Sequence, residues 1–129
     1  MLEEAIFEEI KKDSVIANKI SSGNGIFRIY PLRVPNGVPP SPCLVYTEIS
    51  QSLIYPVLRS SLFQISCIAP KFEEARGLAI DIDRIFNDYK EGFLGDKFAV
   101  KYIKFQGRFS LYDEEAGLYV FPVEVSIKY

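Results

Sequence analysis

The sequence predicts an α+β fold: a mostly antiparallel or mixed sheet of about five strands, with an N-terminal helix and one long amphipathic helix packed on it. Three observations predict it. Apolar residues recur with a helical period near the N-terminus and again over 72–90. They alternate with period two over 43–50, 62–69, 99–112 and 118–129. The resulting order is helix, three strands, helix, two strands, with no internal repeat. The chain's 129 residues suit one domain, spanning 1–129, and leave no room for a second.

Residues 2–12 read as an amphipathic helix. Leu2, Ile6 and Ile10 recur at every fourth position, with Ala5 and Phe7 flanking them. Glu3 and Glu4 lead it and Lys11 and Lys12 end it, the order that complements the helix dipole. Asp13 or Ser14 caps a further short turn through Ala17 and Ile20, and Ser21–Gly25 breaks it. Ile26–Tyr30 is a short strand. The next stretch, 31–42, holds five of the chain's eight prolines: Pro31, Pro35, Pro39, Pro40 and Pro42. Proline offers no N–H to a ladder, so this is a stiff, extended surface loop. It is no domain linker, because the roughly 30 residues before it are too few for an independent core.

Cys43–Ser50 is a strand, with Cys43, Val45, Thr47 and Ile49 on one face and Leu44, Tyr46, Glu48 and Ser50 on the other. Residues 51–60 are expected to be a connection, unusually apolar through Leu53, Ile54, Tyr55, Pro56, Val57 and Leu58. Leu62–Ala69 is the next strand, expected antiparallel to the first. Pro70 stops it. The helix from Phe72 to Lys90 carries Phe72, Ala75, Ala79, Ile82, Phe86 and Tyr89 at spacings of three and four, widened by Leu78 and Ile85. Asp81, Asp83, Arg84, Asn87 and Asp88 are its expected wet face, and Gly92 and Gly95 its expected end. Ala99–Tyr112 and Leu118–Tyr129 form a hairpin around the charged tip Asp113–Gly117. In the last strand Tyr119, Phe121, Val123, Val125 and Ile127 share a face, and Pro122 suggests an edge position or a bulge.

Composition narrows the chemistry. Apolar residues make up 48 % of the chain and charged residues 25 %, as in soluble globular proteins. The formal charge is −2, from 15 basic and 17 acidic side chains, whereas dedicated nucleic-acid binders carry a basic excess. There is no histidine, which removes Ser-His-Asp and Cys-His nucleophile systems and every His-containing zinc site. Cys43 and Cys67 cannot hold a metal alone. They read as buried, reduced thiols, with a bridge between adjacent strands as the alternative. The acidic N-terminus is unlike a signal peptide, and no apolar run reaches a membrane span. The expectation is a cytoplasmic protein, or one released without a secretion signal.

No constellation points to catalysis. The acidic pairs Glu3-Glu4, Glu8-Glu9, Glu73-Glu74, Asp81/Asp83 and Glu114-Glu115 lie on helices, where such neighbours do not face each other, or on a hairpin tip. Lys97, Lys101, Lys104 and Arg108, interleaved with Phe98, Tyr102, Ile103 and Phe105, make a basic and aromatic strand. This raises a second reading, a monomeric module binding single-stranded nucleic acid or another ligand through 97–108, with salt-sensitive affinity. Parity divides it, since Lys101 points away from Lys104 and Arg108. Gly23-Asn24-Gly25 lacks the lysine and hydroxyl of a phosphate-binding loop and is a turn.

Arg28-Ile29-Tyr30-Pro31, the proline-rich loop and Pro42-Cys43-Leu44-Val45-Tyr46 follow one another as in the tail completion (tail terminator, head–tail joining) proteins of long-tailed bacteriophages, which this chain resembles. The strand Leu62–Ala69 resembles that family's middle strand and leads, as there, into a helix built like Phe72–Ala79. The resemblance covers nearly the whole chain. It implies a small α+β subunit that assembles, as a homohexameric ring, on the head-proximal end of the tail tube within the virion. Such a ring stops tube growth and joins the tube protein to the head–tail connector proteins, with DNA passing through it. No catalytic residue, metal, cofactor or membrane is implied. The segment 51–60 departs from the family pattern, which carries more glycine and polar residues there. The expected contacts with neighbouring subunits or the tube are the stiff and apolar segments, through Pro35, Val38, Pro39, Leu53, Ile54, Tyr55, Val57 and Leu58, with Glu114 and Glu115 at the charged tip.

Overall fold

An apolar stripe needs something to lie on, and the chain supplies a seven-stranded sheet. The computed structural model describes residues 2–21, 27–35, 41–55, 58–86, 90–94, 98–108 and 110–129. In chain order the elements are α1 (Leu2–Lys12), α2 (Ser14–Ile20), β1 (Ile29–Pro31), β2 (Cys43–Tyr55), β3 (Leu58–Ala69), α3 (Phe72–Phe86), β4 (Lys90–Leu94), β5 (Phe98–Arg108), β6 (Leu111–Asp113) and β7 (Leu118–Lys128). The strands run β1-β2-β3-β7-β5-β4, and β6 also pairs with β7. Only β1 is parallel to its neighbour, so the sheet is mixed and the fold is α+β as expected, with seven strands where about five were expected.

The core lies on one face. Phe63, Ile65, Cys67 and Ala69 of β3 join Phe121, Val123, Val125 and Ile127 of β7, Leu44 of β2 and Ile103 of β5. Leu2, Ala5, Ile6 and Ile10 of α1, Ile16 and Ile20 of α2, and Ala75, Leu78, Ala79, Ile82 and Phe86 of α3 close over them. Each Val, Leu, Ile or Phe among them contributes about 1.5–3 kcal/mol on full burial.

The structure corrects the expected boundaries in four places. Residues 51–55 and 58–60 are strand, not loop: β2 and β3 stay paired here, with Gln51 opposite Ser61, Ser52 opposite Ser60 and Leu53 opposite Arg59, while Pro56 and Val57 lie outside the described residues. Register shifts between Glu48 and Ser50 and between Leu53 and Tyr55 break the period-two signal that would have revealed it. The described helix runs to Phe86, and Lys90, its expected last residue, belongs to Lys90–Leu94, which pairs with β5, with Gly92 opposite Val100. Tyr89 and Gly95 lie outside the described residues. The first strand begins at Ile29, and Ile26 also lies outside the described residues.

Pro122 is not at a sheet edge. It is buried in β7, opposite Ser66 of β3. On the other flank β7 pairs with β5 up to Arg108–Val123 and resumes with β6 at Leu111–Val120 in the same register. The expected single strand 99–112 is thus interrupted opposite Phe121 and Pro122, where the proline has no N–H to give.

The helical layer is pinned by charge. Asp13 caps α2, its Oδ1 accepting from the Val15 and Ile16 N–H groups at 3.1 Å each. The same carboxylate receives both guanidinium nitrogens of Arg84 on α3, at 2.9 and 3.1 Å. Lys19 of α2 donates to Asp81 Oδ2 of α3 at 2.6 Å. Asp81 is therefore buried against α2 and not on a wet face. Arg28 closes the other end of α2, donating to the Lys19 and Ser21 carbonyls at 3.0 and 2.9 Å and to the Pro42 carbonyl at 2.7 Å. It thereby caps a helix C-terminus and ties it to the start of β2.

The hydrogen bonds from Arg84 hold the Asp13 carboxyl below its ordinary value of 3.8; burial pulls the other way, and the cap N–H groups add to the lowering. A depressed carboxylate stabilises the fold above its unfolded value, and this is lost as pH falls through the lower folded value. Asp13→Ala is expected to cost about 1 kcal/mol in urea denaturation near neutral pH. The gap between variant and unaltered chain should narrow below pH 3.8.

Candidate assembly surfaces

All three helices contribute to the core on one face of the sheet, so the opposite face has no helical cover from the described residues. Cross-strand partners share a face, which defines its rows. Thr47, Gln64 and Glu124 form one row; Leu62, Ser126 and Lys104 form another. The middle of this face is mostly polar and of balanced charge. Towards one end it becomes apolar, in the row Cys43, Ile68, Val120 and Leu111.

The expected contact residues fall into two groups along the strands. Pro35 is exposed after β1, and Glu114 and Glu115 are exposed in the turn between β6 and β7. Glu114 and Glu115 lie beyond the end where Ala69 meets Tyr119, whereas Pro35 follows β1, which runs parallel to β2 and so leads away from that end. The turn is held by Asp113, whose Oδ1 accepts from the Glu115 and Ala116 N–H groups at 3.1 and 3.2 Å. Gly117 closes it at φ 67°, a conformation favouring glycine. Leu53, Ile54 and Tyr55 end β2 and Leu58 begins β3, at the other end of the sheet. The placement of their side chains lies outside what the structure describes, as do Val38, Pro39 and Val57 altogether. From Val45 to Tyr55 a strand runs about 33 Å, so the two groups cannot form one patch.

The basic strand is divided further than parity alone predicts. A bulge between Phe105 and Gly107 inserts Gln106. Lys104 then shares a face with Ser126, whereas Arg108 shares the opposite face with Val123. Lys104 and Arg108 therefore do not form the common row assigned to them from the sequence. Gly107, at φ 152°, supplies backbone that other residues rarely adopt.

The three most exposed large apolar residues among the described ones were not singled out by the sequence pattern. Leu32, just after β1, is 75 % exposed; Leu111 and Tyr112 of β6 are 52 % and 53 % exposed. The Tyr112 ring lies 4.8 Å from that of Tyr119, which meets Phe72 edge-on at 5.6 Å, and Phe72 meets Phe121 at 5.4 Å. This aromatic file runs from the core to the surface. Its only sequence signal was the pair Leu111-Tyr112 directly before an acidic turn.

The cysteines are free and buried. Cys43 stands opposite Ile68 and Cys67 opposite Leu44, so their side chains leave opposite faces of the sheet and a bridge is excluded without unpairing the strands. Burial pushes the Cys43 thiol up to about 11 and raises Cys67 further. Among the described residues no group of three or more Cys, Asp or Glu side chains could hold a metal ion. No helix is long and apolar enough to cross a membrane.

Among solved structures the chain is similar to a chain of the "Virion of native gene transfer agent (GTA) particle", with a TM-score of 0.71 over 98 % of this chain and 92 % of that one, at 14 % identity. At that identity the likeness establishes the fold. No protein-family model and no curated protein sequence matches the chain.

A thiol-reactive probe is expected to label neither cysteine rapidly in the native protein and both after unfolding. Rapid labelling of Cys67 in the native state would contradict its place in the core.

Proposed function

We propose that this protein is a structural subunit of a phage-like virion. In this reading it assembles as a ring on the finished tail tube, stops its growth and joins it to the head connector. The likeness of fold to a chain of a gene transfer agent virion, over nearly the full length of both, carries the proposal. The motif order around Tyr30-Pro31, Cys43–Tyr46 and α3, which resembles tail completion proteins, supplies the place in the particle. The role needs no catalyst, which suits a chain without histidine.

The shape of the subunit supports the role. A ring held between two partners needs contacts at both ends, and the Glu114–Glu115 turn and the Leu53–Leu58 end of β2 and β3 stand at opposite ends of the strands. The 53–58 hairpin tip serves one partner; the Pro35 loop and the Glu114–Glu115 turn serve the other side or the neighbouring subunit. A polar sheet face of mixed charge, with Glu124 beside Gln64 and Lys104 beside Ser126, suits a surface past which DNA slides without being held. The divided basic strand gives the single-strand-binding reading no continuous platform.

The test is electron microscopy of the protein mixed with tail tubes that lack their terminator. Capped tubes of uniform length are expected, and naked ends would count against the role. Leu53→Asp combined with Leu58→Asp is expected to abolish capping while the chain stays folded by circular dichroism. Capping that survives this pair removes the hairpin tip from the contact.

A further inference from the structure

On β3 the core-facing column runs Ala69, Cys67, Ile65, Phe63 and then Ser61. Ser61 breaks the apolar series and is nevertheless fully buried, at 0 % exposure. A buried hydroxyl needs a partner, and Ser61 Oγ has one in Tyr129 Oη at 3.0 Å.

Tyr129 directly follows β7. Its backbone is tied to β3, exchanging N–H···O=C bonds with Arg59 at 2.8 and 2.9 Å. Its side chain packs against the core. Its hydroxyl reaches past Ser61 to β2, where Gln51 Nε2 donates to it at 2.6 Å. Gln51 stands opposite Ser61 in the ladder. One side chain thus joins three neighbouring strands, β7, β3 and β2, on the helical face.

The place it joins is where the pairing is least specified by apolar pattern. The register of β2 against β3 shifts between Glu48 and Ser50 and again between Leu53 and Tyr55, and Ser50–Leu53 lies between the two shifts. Among the described residues β2 has no strand on its outer flank here, so a single ladder holds it. Register is normally fixed by burial, because a slip of one residue moves every side chain to the other face. Here Ser50-Gln51-Ser52 faces Leu62-Ser61-Ser60, and apart from Leu62 the letters are polar on both faces. A slip would therefore change little apolar burial. Gln51 is the one long side chain of its three. A slip in either direction would put Ser50 or Ser52 in its place, and a serine side chain is too short to reach the same hydroxyl. The observed register is the one that makes the bond.

We propose that Tyr129 is a positioning residue: its hydroxyl, held between Gln51 and Ser61, selects the register of the far end of β2 and thereby sets how Leu53–Leu58 is presented. The inference deepens the assembly role proposed above and rests on that reading, because Leu53–Leu58 is the segment assigned there to a partner. It makes its own demand, that the order of Ser50–Leu53 depend on one hydroxyl group.

Hydrogen–deuterium exchange of the full chain, read by mass spectrometry, tests it. Tyr129→Phe keeps the ring and removes the hydroxyl. Amides of Ser50–Leu53 are expected to exchange about five- to tenfold faster, the factor that one hydrogen bond of ordinary strength carries. Ser61→Ala/Tyr129→Phe leaves no buried serine hydroxyl unpaired at this place, so its thermal stability should return towards that of the unaltered chain. In this double variant exchange at Ser50–Leu53 should stay fast while Phe63–Cys67 keep their rates. Gln51→Ala should speed the same amides, and adding it to Tyr129→Phe should change nothing further. Unchanged exchange at Ser50–Leu53 in Tyr129→Phe overturns the proposal, as does faster exchange spread evenly through β3 and β7 of the double variant, or full additivity of Gln51→Ala with Tyr129→Phe. On tail tubes lacking their terminator, Tyr129→Phe is expected to cap about five- to tenfold more weakly than the unaltered chain. Equal capping by the two overturns the positioning role. An unaltered chain that leaves the tubes naked counts against the assembly role instead, and the exchange result decides the register separately.

Discussion

The fold depends on β7. It pairs with β3 along ten consecutive positions, from Ser60–Lys128 to Ala69–Tyr119, and with β5 and β6 on its other flank. Its residues Phe121, Val123, Val125 and Ile127 share one face and are all buried. This column fixes which side of the sheet is greasy. α3 must lie there, and α1 and α2 with it, because their apolar stripes have no other surface of that kind. The other face is polar in its middle rows and apolar towards one end, where Cys43, Val45 and Pro122 are buried.

Charge then sets the arrangement of helices that the greasy face permits. A short helix such as α2, with seven residues, is marginal by itself. Asp13 satisfies its first N–H groups and Arg28 its last carbonyls, and the pairs with α3 set its angle. Partly exposed ion pairs of this kind contribute little energy. Their effect is positional: Asp13, Lys19, Asp81 and Arg84 can all be satisfied in one docking of α2 on α3. Burial of Ile16 and Ile20 then supplies the stability that the charges alone do not.

Much of this was legible where one periodicity ran undisturbed. The stripe of α1, the faces of β3 and β7, and the body of α3 follow directly from spacing. What stayed hidden was hidden by single residues that interrupt a period. The bulge beside Ile49 reversed the parity of β2, so a strand looked like an apolar loop. Gln106 did the same in β5, so Lys104 and Arg108 looked like one row. Tyr89 continued the period of α3 beyond Phe86, where the described helix ends. Asp81 looked solvated because its partner, Lys19, lies 62 positions away in the sequence. The exposed apolar residues were hidden for the same reason: Leu32 and Leu111 are unremarkable letters in a proline loop and a strand end, and only the sheet order places them beside opposite edges.

The edges show how the chain limits uncontrolled pairing. Beyond Tyr46 the outer flank of β2 has no partner among the described residues. It is guarded there by Glu48, Ser50, Gln51 and Ser52, all exposed, and by the bulge that twists it out of register. β1 and β6 are guarded by length: each has three residues and Pro31 ends β1, so an incoming strand meets few backbone groups to pair with. Exposed Leu32 beside β1 and Leu111 and Tyr112 in β6 keep apolar surface at both edges all the same, so backbone pairing and side-chain exposure are managed separately along one sheet.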